Sequence, residues 1–294
     1  MDERFEQFSP NFLKKLQRLK IHSRRNFLGS RQGSHITNRR GQGLEFADFK
    51  QYVAGDDFRY IDWGLYARSD RLYVKQFRSE ENLNVLILFD NSLSMNFPSG
   101  ENKLTAAKRL ALAIGYITLA NGDSLSVFPL CSENIFSING VQNLQPLFRY
   151  LAEIKNQEIL DLSQATTKAI SKTRYSGKCF IISDFLMEQD ELFRSLDILR
   201  AKNFELTLLQ VLTKEEINPS YQGTRRFIDS ETKETVELTF TQQTKQDYTK
   251  LLNHHLDSIK FYCNKSGISH LLVSSEEDIS NVLLSRFAKV GILR

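Results

Sequence analysis

Four stretches of this chain are apolar on both sides of an extended backbone: Val85–Phe89 (VLILF), Leu125–Phe128 (LSVF), Cys179–Ile182 (CFII) and Leu206–Leu212 (LTLLQVL). A strand with one wet face alternates apolar and polar residues. These runs do not, so each predicts a strand covered on both faces. The long segments between them, 104–120, 144–154, 161–173, 190–202 and 245–264, read as amphipathic helices. In the second of these, Leu144, Leu147, Phe148, Leu151 and Ile154 keep the spacing of one buried stripe. Strand and helix in alternation predict an α/β fold with a doubly wound, mostly parallel sheet. Two short apolar runs around a polar turn over 221–240 predict a hairpin inserted after the fourth strand, and Ser269–Val273 with a helix over 278–289 closes the sheet.

Upstream of Glu81 the pattern changes. Residues 5–30 predict a basic helix, with Phe5, Phe8, Phe12, Leu16 and Leu19 on one side, running into Gly- and Ser-containing coil, and short alternating segments at 44–46 and 72–77 predict exposed strands. The expected organisation is a basic N-terminal helix and β-rich arm over 1–82, followed by the α/β domain over 83–294.

Doubly wound sheets bind ligands outside the carboxyl ends of their strands. At the end of the first buried strand stands Asp90-x-Ser92-x-Ser94, which puts a carboxylate and two hydroxyls on one tight loop. All three are hard oxygen donors of the kind that suits Mg²⁺ or Mn²⁺. Asp184 leaves the third buried strand and reaches the same crevice if the two strands are neighbours. The competing reading is that both aspartates cap the helices that follow them. The Asp-x-Ser-x-Ser spacing alone weighs the two about evenly; its place at a strand terminus, with Asp184, tips it towards a cation site.

These residues resemble the metal-ion-dependent adhesion site of von Willebrand factor A domains. Upstream, Gly55-Asp56-Asp57-x-Arg59-x-Ile61-Asp62-Trp63, preceded by Gly41 to Val53 and followed by Ala67-Arg68, Val74-Lys75 and Phe77, closely resembles the signature of the family catalogued as domain of unknown function fifty-eight. Members of that family carry an A-type domain and are commonly encoded beside MoxR-type AAA+ ATPases. The resemblance therefore implies such an ATPase as partner, supplying the work for assembling, activating or remodelling a client protein. It implies Asp90, Ser92, Ser94 and Asp184 as the ligand set. Related A domains add a Thr from a Gly-rich loop, where this chain has Leu160 within Glu158–Leu162 (EILDL). Leu does not ligate, so the site implied is weak, or recruits Asp161 or Glu158, or persists only as a hydrogen-bonded loop.

The signature has a physical reading of its own. Gly55-Asp56-Asp57 is a turn in which Gly permits a positive φ and Asp bonds the following amides. Ion pairs of Arg59, Asp62 and Arg68 are expected to fix the arm against the A domain, with Trp63, the single Trp, as anchor. The alternative is that Asp56, Asp57 and Arg59 form an exposed partner-binding epitope.

Composition narrows the function. With 39 basic and 35 acidic side chains the net charge is +4, too small for the chain as a whole to be a polyanion binder. Asn11 to Arg40 nevertheless holds nine Lys and Arg and no acid. A nucleic-acid reading of that segment lacks interleaved aromatics or a recognised module. Cys131, Cys179 and Cys263 lie far apart in apolar contexts, as expected of packed thiols in a reducing compartment. No apolar run has the length of a membrane span and Met1 is not followed by a signal peptide, so a cytoplasmic location without membrane insertion is expected. Ser92 stands where an aspartyl-phosphate enzyme needs its second Asp. Gly-x-Ser-x-Gly and nucleotide-binding glycine fingerprints are missing from the sequence. The histidines fall outside the strand ends that matter. The leading expectation is a non-catalytic interaction or adaptor protein whose crevice binds an acidic group of a partner, directly or through Mg²⁺. A metal-dependent hydrolase in the same crevice, or nucleic-acid binding through the basic segment, are the alternatives.

Overall fold

The computed structural model describes residues 8–24, 32–41, 45–98, 102–157, 161–229 and 234–294. Phe5, Arg25, Arg31, Gly43, Leu44, Glu158 and Leu160 lie outside the described residues. The chain divides into two units, Met1–Arg25 with Asn84–Arg294, and Asn26–Leu83.

Among the described residues the larger unit opens with α1 (Pro10–Leu16), which starts after Phe8 and ends before Leu19 of the predicted helix. Pro10 starts it and the Ser9 side chain caps it by accepting from the Phe12 amide at 3.3 Å. It ends at Gln17 because the backbone beyond finds another partner. Lys20 exchanges both hydrogen bonds with Arg294 (2.8 and 2.9 Å), and His22 donates to the Ile292 carbonyl (2.8 Å). Phe12, Leu16 and Ile21 are buried. This segment therefore belongs to the α/β unit and not, as the sequence pattern suggested, to the arm. Glu205 helps hold it, accepting from the Ser23 hydroxyl at 2.7 Å and the Arg24 amide at 2.9 Å while paired with the buried Lys178 at 2.5 Å.

The smaller unit is a three-stranded antiparallel sheet of β1 (Gln32–Gly41), β2 (Glu45–Gln51) and β3 (Tyr73–Glu81), in the order β1-β3-β2, with helix α2 (Trp63–Ser69) between β2 and β3. Ile61 bridges to Val74 and both are buried. Gly55 takes φ +106°, a conformation that Gly alone adopts without strain. The charged groups of the signature find partners inside this unit. Lys50 pairs with Asp56 (2.8 Å), Arg59 with Asp57 (2.7 Å) and Lys75 with Asp62 (3.1 Å), while Arg68 Nε donates to the Gly64 carbonyl (3.1 Å). Trp63 is 62% exposed and meets Tyr66 edge-on, so it is not the buried anchor that was expected.

The larger unit continues as six strands with helices between them: β4 (Asn84–Phe89), α3 (Lys103–Ala120), β5 (Ser124–Pro129), β6 (Phe136–Asn139), α4 (Leu144–Glu153), α5 (Leu162–Lys172), β7 (Lys178–Ser183), α6 (Gln189–Ala201) and β8 (Glu205–Leu212). After a short helix α7 (Lys214–Ile217) comes the hairpin β9 (Gly223–Ile228) and β10 (Thr235–Phe240), then α8 (Gln242–Ser266) and β11 (Ser269–Ser274). The sheet order is β11-β8-β7-β4-β5-β6, parallel except for β6. This is the mostly parallel α/β architecture that the unalternated runs predicted. β6 was not predicted, since a four-residue edge strand carries too little pattern. One face buries Leu86, Leu88, Cys179, Ile181, Leu206 and Leu208 against α5, α6 and α8. The other packs on α3, which is buried nearly all round and is not the amphipathic helix expected. Gly115 allows this: a Cβ there would stand 2.6 Å from Leu147 and 3.0 Å from Leu125. Among the described residues no helix is long and apolar enough to cross a membrane.

Entry into β7 depends on Gly177, where a Cβ would lie 1.9 Å from the Asn84 carbonyl oxygen of the neighbouring strand. Gly177→Ala therefore has to push β7 away from β4 and is expected to cost about 3 kcal/mol. Urea unfolding of the two proteins measures it; a loss below ~1 kcal/mol would show that the strands separate freely.

Candidate functional site

The first strand of the sheet, β4, lies in its middle. The chain runs outward through β5 and β6 on one side and through β7, β8 and β11 on the other, so the order reverses between β4 and β7. A crevice opens at such a reversal, outside the carboxyl ends of the two strands. Asp90 and Asp184 are the residues that leave those ends.

Asp90 is buried, and both of its oxygens are occupied. Oδ1 accepts from the Ser92 amide at 2.8 Å, and Oδ2 accepts from the Ser183 hydroxyl at 2.5 Å. Burial, and then the charge of Asp184, push the Asp90 pKa up to about 6 against the pull of these hydrogen bonds. The Ser92 and Ser94 hydroxyls are 2.9 Å apart. The loop is tied from behind: Asn91 donates to the Lys155 carbonyl (2.9 Å), Gln157 N–H donates to the Asn91 carbonyl (2.8 Å), and Asn156 donates to the Ser92 carbonyl (2.7 Å). Buried Lys108 fixes the start of that second loop through the Ala152 and Ile154 carbonyls (3.1 and 2.6 Å).

Asp184 is also buried. Its Oδ1 accepts from the Leu186 amide (3.1 Å), and its Oδ2 takes the ammonium of Lys103 at 2.6 Å. The same ammonium meets Glu216 Oε1 at 2.6 Å, and Glu216 Oε2 accepts from the Thr213 amide at 2.8 Å in a capping box. Burial alone would lower the Lys103 pKa, but the charges and hydrogen bonds of Asp184 and Glu216 outweigh it and hold the pKa above its ordinary value. The turn after Asp184 is strained. Phe185, fully buried, has φ +52°, and three polar contacts maintain it. Phe185 N–H donates to Ser183 Oγ (3.0 Å), His255 Nε2–H donates to the Phe185 carbonyl (2.8 Å), and Gln210 donates to the Asp184 carbonyl (2.8 Å). Gln210 Oε1 in turn accepts from His270 (3.0 Å), whose pKa burial lowers to about 4, so that ring is neutral.

The structure thus gathers Asp90, Ser92, Ser94 and Asp184. Asp161 caps α5 instead, accepting from the Gln164 amide at 2.9 Å. Asp56, Asp57 and Arg59 belong to the smaller unit. The basic stretch Asn11–Arg40 is shared between the two units. Sequence reasoning missed Lys103, Glu216, Ser183, Gln210 and His255, and it placed the histidines away from the strand ends, where His255 in fact buttresses one. One signal was available. Lys103 is the first residue of a mostly apolar helix, where the helix dipole disfavours a cation, so it needed a carboxylate partner.

For a divalent cation the crevice offers two hydroxyls, while the carboxylates behind them are engaged. Asp184 already holds an ammonium, and among the described residues no three His, Cys, Asp or Glu side chains cluster to hold a metal. A hard divalent ion needs about six oxygens, most of them free to turn towards it; this donor set does not fit a tight site.

The fold and the site define an α/β protein with a polar cluster at the reversal point of a six-stranded sheet. The family model described as "Protein of unknown function DUF58" matches residues 48–257, well over half of the chain, and the chain belongs to that family. It is similar to Uncharacterized protein Mb1516 of Mycobacterium bovis and Uncharacterized protein Rv1480 of Mycobacterium tuberculosis, each 22% identical over 276 residues that span 92% of this chain and 86% of the relative. Among solved structures it is similar to a conserved hypothetical protein BatB from Bacteroides thetaiotaomicron (TM-score 0.42) and to an aerotolerance-related membrane protein from Bacteroides fragilis NCTC 9343 (TM-score 0.43). Each is 15% identical, with 71% of this chain and 98% of that chain covered.

Two expectations follow for the cluster. The Asp90 pKa lies above its unfolded value of 3.8, so its stabilising contribution is full below about pH 4 and lost as the pH rises through about 6. Asp90→Asn cannot ionise and should gain on the wild type by about 1–1.5 kcal/mol between about pH 5 and pH 7.5; unfolding curves at the two pH values with an unchanged gap would exclude the raised pKa. Lys103→Met leaves Asp184 and Glu216 facing each other without a cation, and should cost about 3–5 kcal/mol at neutral pH, measured as a shift of the urea midpoint.

Proposed function

We propose that this chain is a non-catalytic protein-interaction module, an adaptor with a von Willebrand factor A-like domain, that works with a MoxR-type AAA+ ATPase on a client protein. The resemblance of the Gly55–Trp63 signature and of the Asp90/Ser92/Ser94/Asp184 set supports the family half of this reading. The observation that carries the non-catalytic half is that the reactive groups at the strand ends are spent on one another. Among the described residues the hydroxyls held against the carboxylate of raised pKa are those of Ser183 and Ser92 on Asp90, and all three residues are buried. A nucleophile and its base act only where a substrate reaches them. With Lys103 supplying positive charge between Asp184 and Glu216, Mg²⁺ or Mn²⁺ enters weakly and the cluster serves as a rigid shape. Because acids outnumber cations there, a partner's acidic group is a poor match for the crevice.

Purified alone, the chain should hydrolyse neither ATP nor simple phosphate and acyl esters. Immobilised, it should retain a MoxR-type ATPase equally well in Mg²⁺ and in EDTA. Asp90→Ala, which collapses the loop, should weaken retention by about tenfold. Robust ester hydrolysis abolished by Asp90→Ala would refute the adaptor reading and promote a hydrolase.

A further inference from the structure

Beside the cluster lies a cleft of about 420 Å³. Its floor is Ser94, Lys103, Asp184 and Glu216, and its far wall is the β9–β10 hairpin. Tyr221, Phe227 and Phe240 pack on one another there with ring centroids 5.3–5.8 Å apart. Leu238 of the same hairpin, and Phe97 and Leu186 from the two strand-end loops, also line the cleft and are each more than a third exposed. Apolar surface of this kind, enclosed but uncovered, marks a place where a partner side chain is seated.

The charges say which partner. Among the described residues four carboxylates line the cleft, Asp184, Glu215, Glu216 and Asp229, against one ammonium, Lys103; Arg225, on the hairpin face that carries Phe227, also acts on Tyr221. Lys103 is consumed by Asp184 and Glu216. Glu215 differs from them: its Oε2 is buried and accepts no hydrogen bond among the described residues. Glu215 as a residue is nevertheless partly exposed and lines the cleft, so its carboxylate is the uncommitted one that an incoming guanidinium or ammonium pairs with. The two tyrosines of the cleft feel the same negative field. Tyr221 and Tyr248 are held above their ordinary pKa by burial first, and then by Glu215 and Glu216 on Tyr221 and by Glu216 and Tyr221 on Tyr248.

We propose that this cleft binds an extended segment of a partner protein that presents an Arg or Lys side chain to Glu215 and lays a neighbouring apolar side chain on Phe227, Leu238 and Phe240. This deepens the adaptor reading and rests on it, naming the surface used and the chemistry of what it holds. The Lys103 triad makes the floor rigid, and the hairpin supplies the apolar wall, so specificity comes from the pairing of one positive with one apolar side chain.

The test uses the full chain and two fluorescein-labelled twelve-residue peptides with the same leucine and phenylalanine content, one carrying three arginines and the other three glutamates. Fluorescence anisotropy should show the arginine peptide binding at least about tenfold more tightly than the glutamate peptide. Glu215→Gln and Leu238→Ser, both at partly exposed positions, should each weaken the arginine peptide by about tenfold without moving the thermal midpoint. Equal binding of the two peptides, a preference for glutamate, or binding that both substitutions leave intact would overturn the proposal. Retention of the ATPase on the immobilised chain is read separately, so loss of the cleft with the ATPase still retained sinks this inference alone.

Discussion

Lys103 reaches between Asp184 and Glu216, 2.6 Å from each, with its own side chain and that of Asp184 almost wholly buried. Charges of this kind are stable inside a protein only when every one is paired and hydrogen-bonded, and removing any member strands the others. That requirement organises the carboxyl end of the sheet. It holds the first residue of α3 to the end of β7 and to α7, and so brings together three segments that the chain separates widely. Asp90, facing an Asp184 that is already satisfied, turns to Ser92 and Ser183, and burial first and then the Asp184 charge raise its pKa.

Strain and polar contacts behind the cluster complete the frame. Phe185 is kept at a positive φ by the Ser183 hydroxyl and His255, while Gln210 passes the hydrogen bond of His270 to the Asp184 carbonyl. A buried network in which each member is satisfied rigidifies its surroundings and specifies one geometry. Rigid chemistry next to an uncovered aromatic wall suits recognition better than turnover. Turnover asks for a reactive group that a substrate touches, and here the groups of highest reactivity point inward. The smaller unit follows the same habit, since Asp56, Asp57 and Asp62 of the signature each neutralise a cation within that unit.

Much of this was legible from residue order alone. Runs such as Val85–Phe89 and Cys179–Ile182 announce strands covered on both faces because burial forbids polar alternation, and the helices between them follow from spacing. Asp90 and Asp184 were placed at strand ends for the same reason, as the first charged residues after an apolar run. Short-range pattern determines such features, and it failed where the pattern was thin: at β6, at α1, and at α2, where Trp63 looked like a core residue and lies in the open. Tertiary structure decided the rest. That β7 lies beside β4, that Lys103 closes a triad with residues 81 and 113 positions away, and that the hairpin stands over the strand ends to make a cleft are all long-range choices. Periodicity reports which face of an element avoids water, but not which distant element covers it; that is settled only when buried charges must find partners and the apolar faces of the whole chain are packed at once.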